Sequence, residues 1–93
     1  MKKANIIKVV NTTPYPLILY HKKYYSKGEF ILLCGSNSFA LMDFQILNKF
    51  VDLDLCFFQF FNDKKKINIK DIHKYGCSIE YSFLKEGNYE DRS

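Results

Sequence analysis

His21-Lys22-Lys23-Tyr24-Tyr25-Ser26-Lys27 interleaves cations with aromatic rings, a combination that attracts phosphates and stacks on bases. Lys64-Lys65-Lys66 is a second run of positive charge. Lys22, Lys23, Lys27, Lys64, Lys65 and Lys66 are therefore the anion or nucleic-acid contacts the sequence offers, although the same runs also read as solvated turns of a lysine-rich chain. Phe57, Phe58, Phe60 and Phe61 offer different chemistry, the burial of aromatic surface against a partner. A strand sends Phe57 and Phe61 to one face and Phe58 and Phe60 to the other. Asp52 and Asp54 share the parity of Phe58 and Phe60, so that face turns from wet to aromatic along its length. Either the domain buries both faces of this strand, or one face is kept for a partner. Phe58 and Phe60, with Tyr20, Tyr24 and Tyr25, are taken as the partner-binding aromatics.

Acid–base and nucleophilic chemistry finds less support. Asp52 and Asp54 would lie about 7 Å apart on one strand face, which also describes the solvent face of an alternating strand. Asp71-Ile72-His73 brings a carboxylate near an imidazole without a nucleophile. Cys34, Cys56 and Cys77 are widely spaced, form no C-x-x-C and have no histidine at ligand spacing. They read as buried free thiols of a reducing compartment. The four glycines, 28, 35, 76 and 87, stand alone, so no phosphate-binding glycine loop is present. No catalytic residue, metal or cofactor is expected, and the chain does not read as an enzyme.

The elements that must position these residues follow from hydrophobic pattern. Residues 5–10 and Leu17-Ile18-Leu19-Tyr20 read as strands joined as a hairpin through Asn11-Thr12-Thr13-Pro14-Tyr15-Pro16, where neither proline can donate to a ladder. Residues 29–34, whose apolar run is unbroken from Phe30, are expected to be a strand buried on both faces. Ser38 could cap a helix over 39–50 burying Phe39, Met42, Ile46, Leu47 and Phe50. Alternation of Ala40, Met42, Phe44 and Ile46 fits a strand nearly as well; helix is taken. Residues 51–61 alternate and read as one strand. A short helix over 68–75 would carry Asn68 as its cap, turn Ile69 and Ile72 inward and stop at Gly76. Residues 77–84 alternate again. If each element crosses the domain, the two lysine runs fall at opposite ends, which disfavours one continuous nucleic-acid track.

These elements make a small single α+β domain, mainly β, of about five mostly antiparallel strands and one or two short helices (39–50 and 68–75). The domain spans 1–87, with a flexible tail at 88–93. Ninety-three residues suffice for one core burying about 65% of the extended chain's surface, without staples. The usage is skewed: 13 Lys against one Arg, and 45 of 93 residues drawn from Lys, Ile, Asn, Phe and Tyr. AT-rich codons encode these residues, so the lysine count partly reflects the genome, and a net charge of +4 permits acidic partners without requiring them. The apolar start is broken by Lys8, too early for a signal peptide, and no apolar run approaches a membrane span. A cytoplasmic location follows from this reading. The sequence thus points to a small binding protein acting by stoichiometric protein–protein association. Such genes suit a phage or mobile element whose product inhibits a host factor, for example a defence nuclease. The alternative is a basic nucleic-acid-binding or ribonucleoprotein-associated protein. A second copy of the chain is another partner such aromatics would accept, and no membrane partner is expected.

Overall fold

Ile6-Ile7-Lys8-Val9-Val10 is β-branched and alternating, and becomes the central strand of a three-stranded antiparallel sheet. The computed structural model describes residues 3–44 and 50–83. In it β1 is Lys3–Ala4, β2 is Ile6–Asn11, β3 is Leu17–His21, β4 is Leu32–Cys34 and β5 is Ser38–Asp43. They are followed by β6 (Val51–Asp52), β7 (Cys56–Phe60), β8 (Ile67–Asn68) and β9 (Cys77–Ser82). The sheets are β5-β2-β9, β4-β3-β7-β8 and a short β1-β6 pair, every pairing antiparallel. Among the described residues the helical part is short 3-10 segments, the longest being Ile69–Tyr75. This is the expected mainly-β kind of α+β domain.

Period-two alternation sets what is buried. Ile7, Val9 and Asn11 of β2 point inward, while Lys8 is exposed. Leu17 and Leu19 of β3 lie opposite Phe60 and Phe58 of β7. Ile7, Val9, Leu17, Leu19 and Phe58 belong to one hydrophobic cluster, so the two larger sheets share a core. Ile72, from the 3-10 helix, joins it. Gly76 ends that helix at φ +83°, a conformation that glycine adopts at little cost. A Cβ there would also meet Thr12 and Thr13 at 3.4 Å.

Four expectations change. Residues 38–43 are strand β5, not the start of a helix, because they pair residue by residue with β2, Asn11 opposite Ser38 through Ile6 opposite Asp43. The remainder of the expected helix falls largely at 45–49, outside the described residues, as does the tail at 88–93. The first two long strands do not form a hairpin: β2 and β3 lie in different sheets. The third strand is short, and Phe30 and Leu33 are exposed. The 51–61 strand is interrupted by a 3-10 turn at Leu53–Leu55, whose start is capped by the Asp52 carboxylate accepting the Asp54 N–H at 3.1 Å. Asp52 is consequently buried while Asp54 is exposed, and the two are not a pair on one wet face.

The change of sheet between β2 and β3 is made around Asn11. Its side chain is 1% exposed. The amide nitrogen donates to the carbonyls of Tyr15 (2.6 Å) and Gly35 (3.0 Å). The amide oxygen accepts the Thr13 N–H (3.0 Å), the Thr13 hydroxyl (2.6 Å) and the Cys77 thiol (3.3 Å). Removing a buried partner strands the groups it satisfied, which costs more than the net worth of the bonds themselves. Asn11→Ala is therefore expected to lose about 2–4 kcal/mol of unfolding free energy. Urea denaturation checks this; a loss below about 0.5 kcal/mol, the level of an ordinary surface change, would contradict it.

Candidate functional site

Two surface features carry the aromatic and cationic residues. The first is an open cleft of about 660 Å³ walled by Pro14, Tyr15, Pro16, Phe60, Phe61 and Tyr75. Its position follows from backbone chemistry. Prolines at 14 and 16 remove two donors, and the loop satisfies its remaining groups against other segments. Thr12 N–H donates to the Gly76 carbonyl (3.2 Å), Asn37 N–H to the Thr13 carbonyl (2.9 Å) and Phe61 N–H to the Pro16 carbonyl (2.9 Å). With the Asn11 bonds, the wall is held from four sides. The opposite wall ends at Asn62, whose φ of +67° turns the chain out of β7. Tyr15 and Phe61 are 61% and 56% exposed, Phe60 and Tyr75 half-buried. Beside the cleft, Lys64 and Lys65 are exposed. The Asp63 carboxylate is engaged by the Lys65 N–H at 3.0 Å. The Lys65 ammonium lies 5.0 Å from the centre of the Tyr75 ring, and hydrogen bonding to Tyr75 raises its pKa.

The second feature covers the outer face of the β3–β7 pair. Tyr20 lies opposite Phe57, their rings stacked at 5.6 Å. The 21–28 loop folds Tyr25 over both, edge-on at 4.9 Å to Tyr20 and 5.1 Å to Phe57. The Tyr25 hydroxyl lies 3.3–3.5 Å from the Gln59 side-chain amide. Lys66 sits 4.7 Å from the Tyr25 ring centre and 5.1 Å from that of Phe57. A little further along the loop, Tyr24 has Lys23 at 5.4 Å and Lys27 at 5.7 Å from its ring centre.

Against the sequence-derived sites, Phe58 is corrected: at 1% exposure, opposite Leu19, it is core. Its face, expected to stay partly wet, is the inner face of the sheet. Phe60 shares that parity but stands at the strand's end, where it reaches the cleft. Phe57 is buried too, so β7 is covered on both faces through residue 59. Tyr20 and Tyr25 are half-buried members of the outer-face cluster, and Tyr24 is exposed. Lys22, Lys23, Lys27, Lys64, Lys65 and Lys66 are all exposed. The separation of the lysine runs to opposite ends is overturned at Lys66. The chain leaves β7 at Phe60 and returns antiparallel, Phe58 opposite Ile67, so Lys66 arrives beside Phe57 rather than at a tip. Sequence reasoning missed Tyr15 and Tyr75 as surface-forming residues; the bracketing of Tyr15 by two prolines was the available signal.

The thiols are Cys34, Cys56 and Cys77, buried and free. Burial raises the pKa of all three, that of Cys56 to about 12, with the neighbouring Asp52 adding to the effect. They are protonated, and weak nucleophiles, near neutral pH. Asp71 forms an ion pair with Lys74 at 3.6 Å. No group of three or more His, Cys, Asp or Glu is placed to hold a metal ion among the described residues, and no helix there is long and apolar enough to cross a membrane. No family model, curated protein or solved structure matches the chain.

Lysines 64 and 66 stand two residues apart in sequence with different surroundings. Lys66→Ser removes a cation from two ring faces and is expected to cost about 0.5–1 kcal/mol, whereas Lys64→Ser should stay within about 0.5 kcal/mol of the parent. Chemical denaturation of the two variants side by side tests the difference; equal stabilities would remove Lys66 from the outer-face cluster.

Proposed function

We propose that this chain is a small non-enzymatic binding protein that acts by stoichiometric association with a protein partner, received in the cleft between the 12–16 loop and the end of β7. The observation that carries this reading is a preformed, mostly apolar cleft with exposed Tyr15 and Phe61 on walls held by backbone hydrogen bonds. Exposed aromatics on a rigid frame lose little conformational freedom on binding and are the usual anchors of interfaces. The occupant is an extended segment of the partner with apolar or prolyl side chains between the rings, flanked by acidic residues. Lys64 and Lys65 supply the complementary charge, and Asp63 is engaged by a backbone N–H. Of the groups considered for acid–base or nucleophilic work, Asp52 caps a turn, Asp71 pairs with Lys74, and burial raises the pKa of the three thiols. Inhibition of a host factor, as by an accessory protein of a phage or mobile element, is the setting that the AT-rich usage suits. A cytoplasmic site of action accords with three free thiols.

Affinity purification of the tagged protein from its host, with nuclease added, tests this. The wild type is expected to retain a protein partner at a fixed stoichiometry. Tyr15→Ser with Phe61→Ser is expected to lose it, by about 2 kcal/mol or more in affinity, with stability within about 1 kcal/mol of the parent because both side chains are exposed. A partner that disappears on nuclease treatment, or that binds the double variant unchanged, would contradict the proposal.

A further inference from the structure

The loop between β3 and β4 presents a second surface that shares no residue with the cleft. Its backbone is fixed. The Lys22 N–H donates to the Leu55 carbonyl at 2.8 Å, the Lys23 N–H to His21 Nδ1 at 3.1 Å, the Lys27 N–H to the Tyr24 carbonyl at 3.1 Å and the Gly28 N–H to the Tyr25 carbonyl at 3.0 Å. Gly28, at φ +77°, closes the turn. Tyr24 is 37% exposed, with the Lys23 and Lys27 ammonium groups 5.4 and 5.7 Å from its ring centre and the His21 ring 5.4 Å away. Lys66 reaches the same loop from β8's approach, over Tyr25. Lys22, Lys23, Lys27 and Lys66 form no ion pair with a carboxylate among the described residues. Glu29 is the loop's single acidic residue. Within the loop itself cations therefore outnumber carboxylates.

We propose that this surface binds single-stranded nucleic acid, with Lys22, Lys23, Lys27 and Lys66 neutralising phosphates and Tyr24 stacking on a base. Unneutralised charge alone would suit any polyanion. The exposed Tyr24 ring with two cations close to it is what favours a single strand, because unpaired bases offer a π-face for the ring beside a phosphate for each cation. Lys66, alone of its run, lies over Tyr25 and so adds its charge to the loop's own lysines.

The test is fluorescence anisotropy with a labelled oligouridylate of about 12 nucleotides, inside the footprint of small single-strand binders. It is run from about 50 to 200 mM salt. Four neutralised phosphates predict a slope of log K against log salt of about −3. Lys23→Glu with Lys27→Glu should weaken binding at least about tenfold and flatten the slope by about 1.4. Tyr24→Ala should weaken it by roughly fivefold or more. Tyr15→Ser with Phe61→Ser should leave it unchanged, which separates this proposal from the cleft reading. All the altered loop residues are exposed, and Lys22→Glu repeats the charge test should the double variant unfold. Absence of binding at the lowest salt would overturn the proposal, as would insensitivity to the loop changes. Equal affinity for a duplex of the same length would overturn it by removing the role of the ring, and equal competition by polyglutamate would identify the surface as one for acidic polypeptides.

Discussion

The Asn11 side chain is the constraint on which the molecule's functional end depends. It sits where β2 leaves one sheet and the chain must enter the other. Both of its amide protons and its oxygen are used inside the fold, on Tyr15, Gly35, Thr13 and Cys77. An apolar residue of similar size would fill the space but leave the carbonyls of Tyr15 and Gly35 without those donors, and buried polar groups left unmatched are costly. Satisfied networks of this kind fix one arrangement among several of similar packing energy. Here the arrangement fixed is the path of Thr12–Pro16, and so the wall that carries Tyr15.

A domain this small has difficulty covering both faces of a sheet. The solution on the outer side of β3 and β7 is a single 3-10 turn, Tyr25–Lys27, rather than a packed layer. Tyr25 folds back over Tyr20 and Phe57, and the Lys66 ammonium lies over the Tyr25 and Phe57 rings while the residue stays exposed, so a cation caps aromatic surface without being buried. Phe57 reaches 3% exposure by this means. Residues whose composition suggested a ligand surface thus divide in two. Tyr20, Tyr25 and Lys66 serve the fold first, whereas Tyr24, Lys23 and Lys27 remain free for an outside contact.

Local pattern made β2, β3, β7 and β9 legible, because period-two alternation and β-branching report directly on a half-buried strand. The 68–75 segment was legible from its inward Ile72 and the stop at Gly76, although it is a 3-10 helix and Asn68 makes no side-chain capping bond. Residues 39–43 were not, since the same apolar residues satisfy two periods and only pairing with β2 decides between them. The break at 53–55 was hidden because Leu53 and Leu55 continue the alternation; the deciding interaction is a short-range bond from the Asp52 carboxylate, which sequence equally allows to be solvent-facing. Pairing order was the larger gap. The approach of Lys66 to Tyr25 depends on β8 returning along β7, and the cleft depends on loops from three distant parts of the chain. Phe58 was misplaced for the same reason: parity identifies which residues share a face, not which face is inside.

If the Asn11 network holds the cleft wall as part of the global fold, the wall cannot open without unfolding. Native-state amide hydrogen exchange of Thr12, Thr13, Asn37 and Phe61 reads this directly, since their N–H groups bond to Gly76, Asn11, Thr13 and Pro16 respectively. The expected result is protection of all four close to that of Val9 in the central strand, the level of global unfolding. Exchange at these four positions orders of magnitude faster than at Val9 would mean a wall that opens by itself, and would contradict a cleft preformed around Asn11.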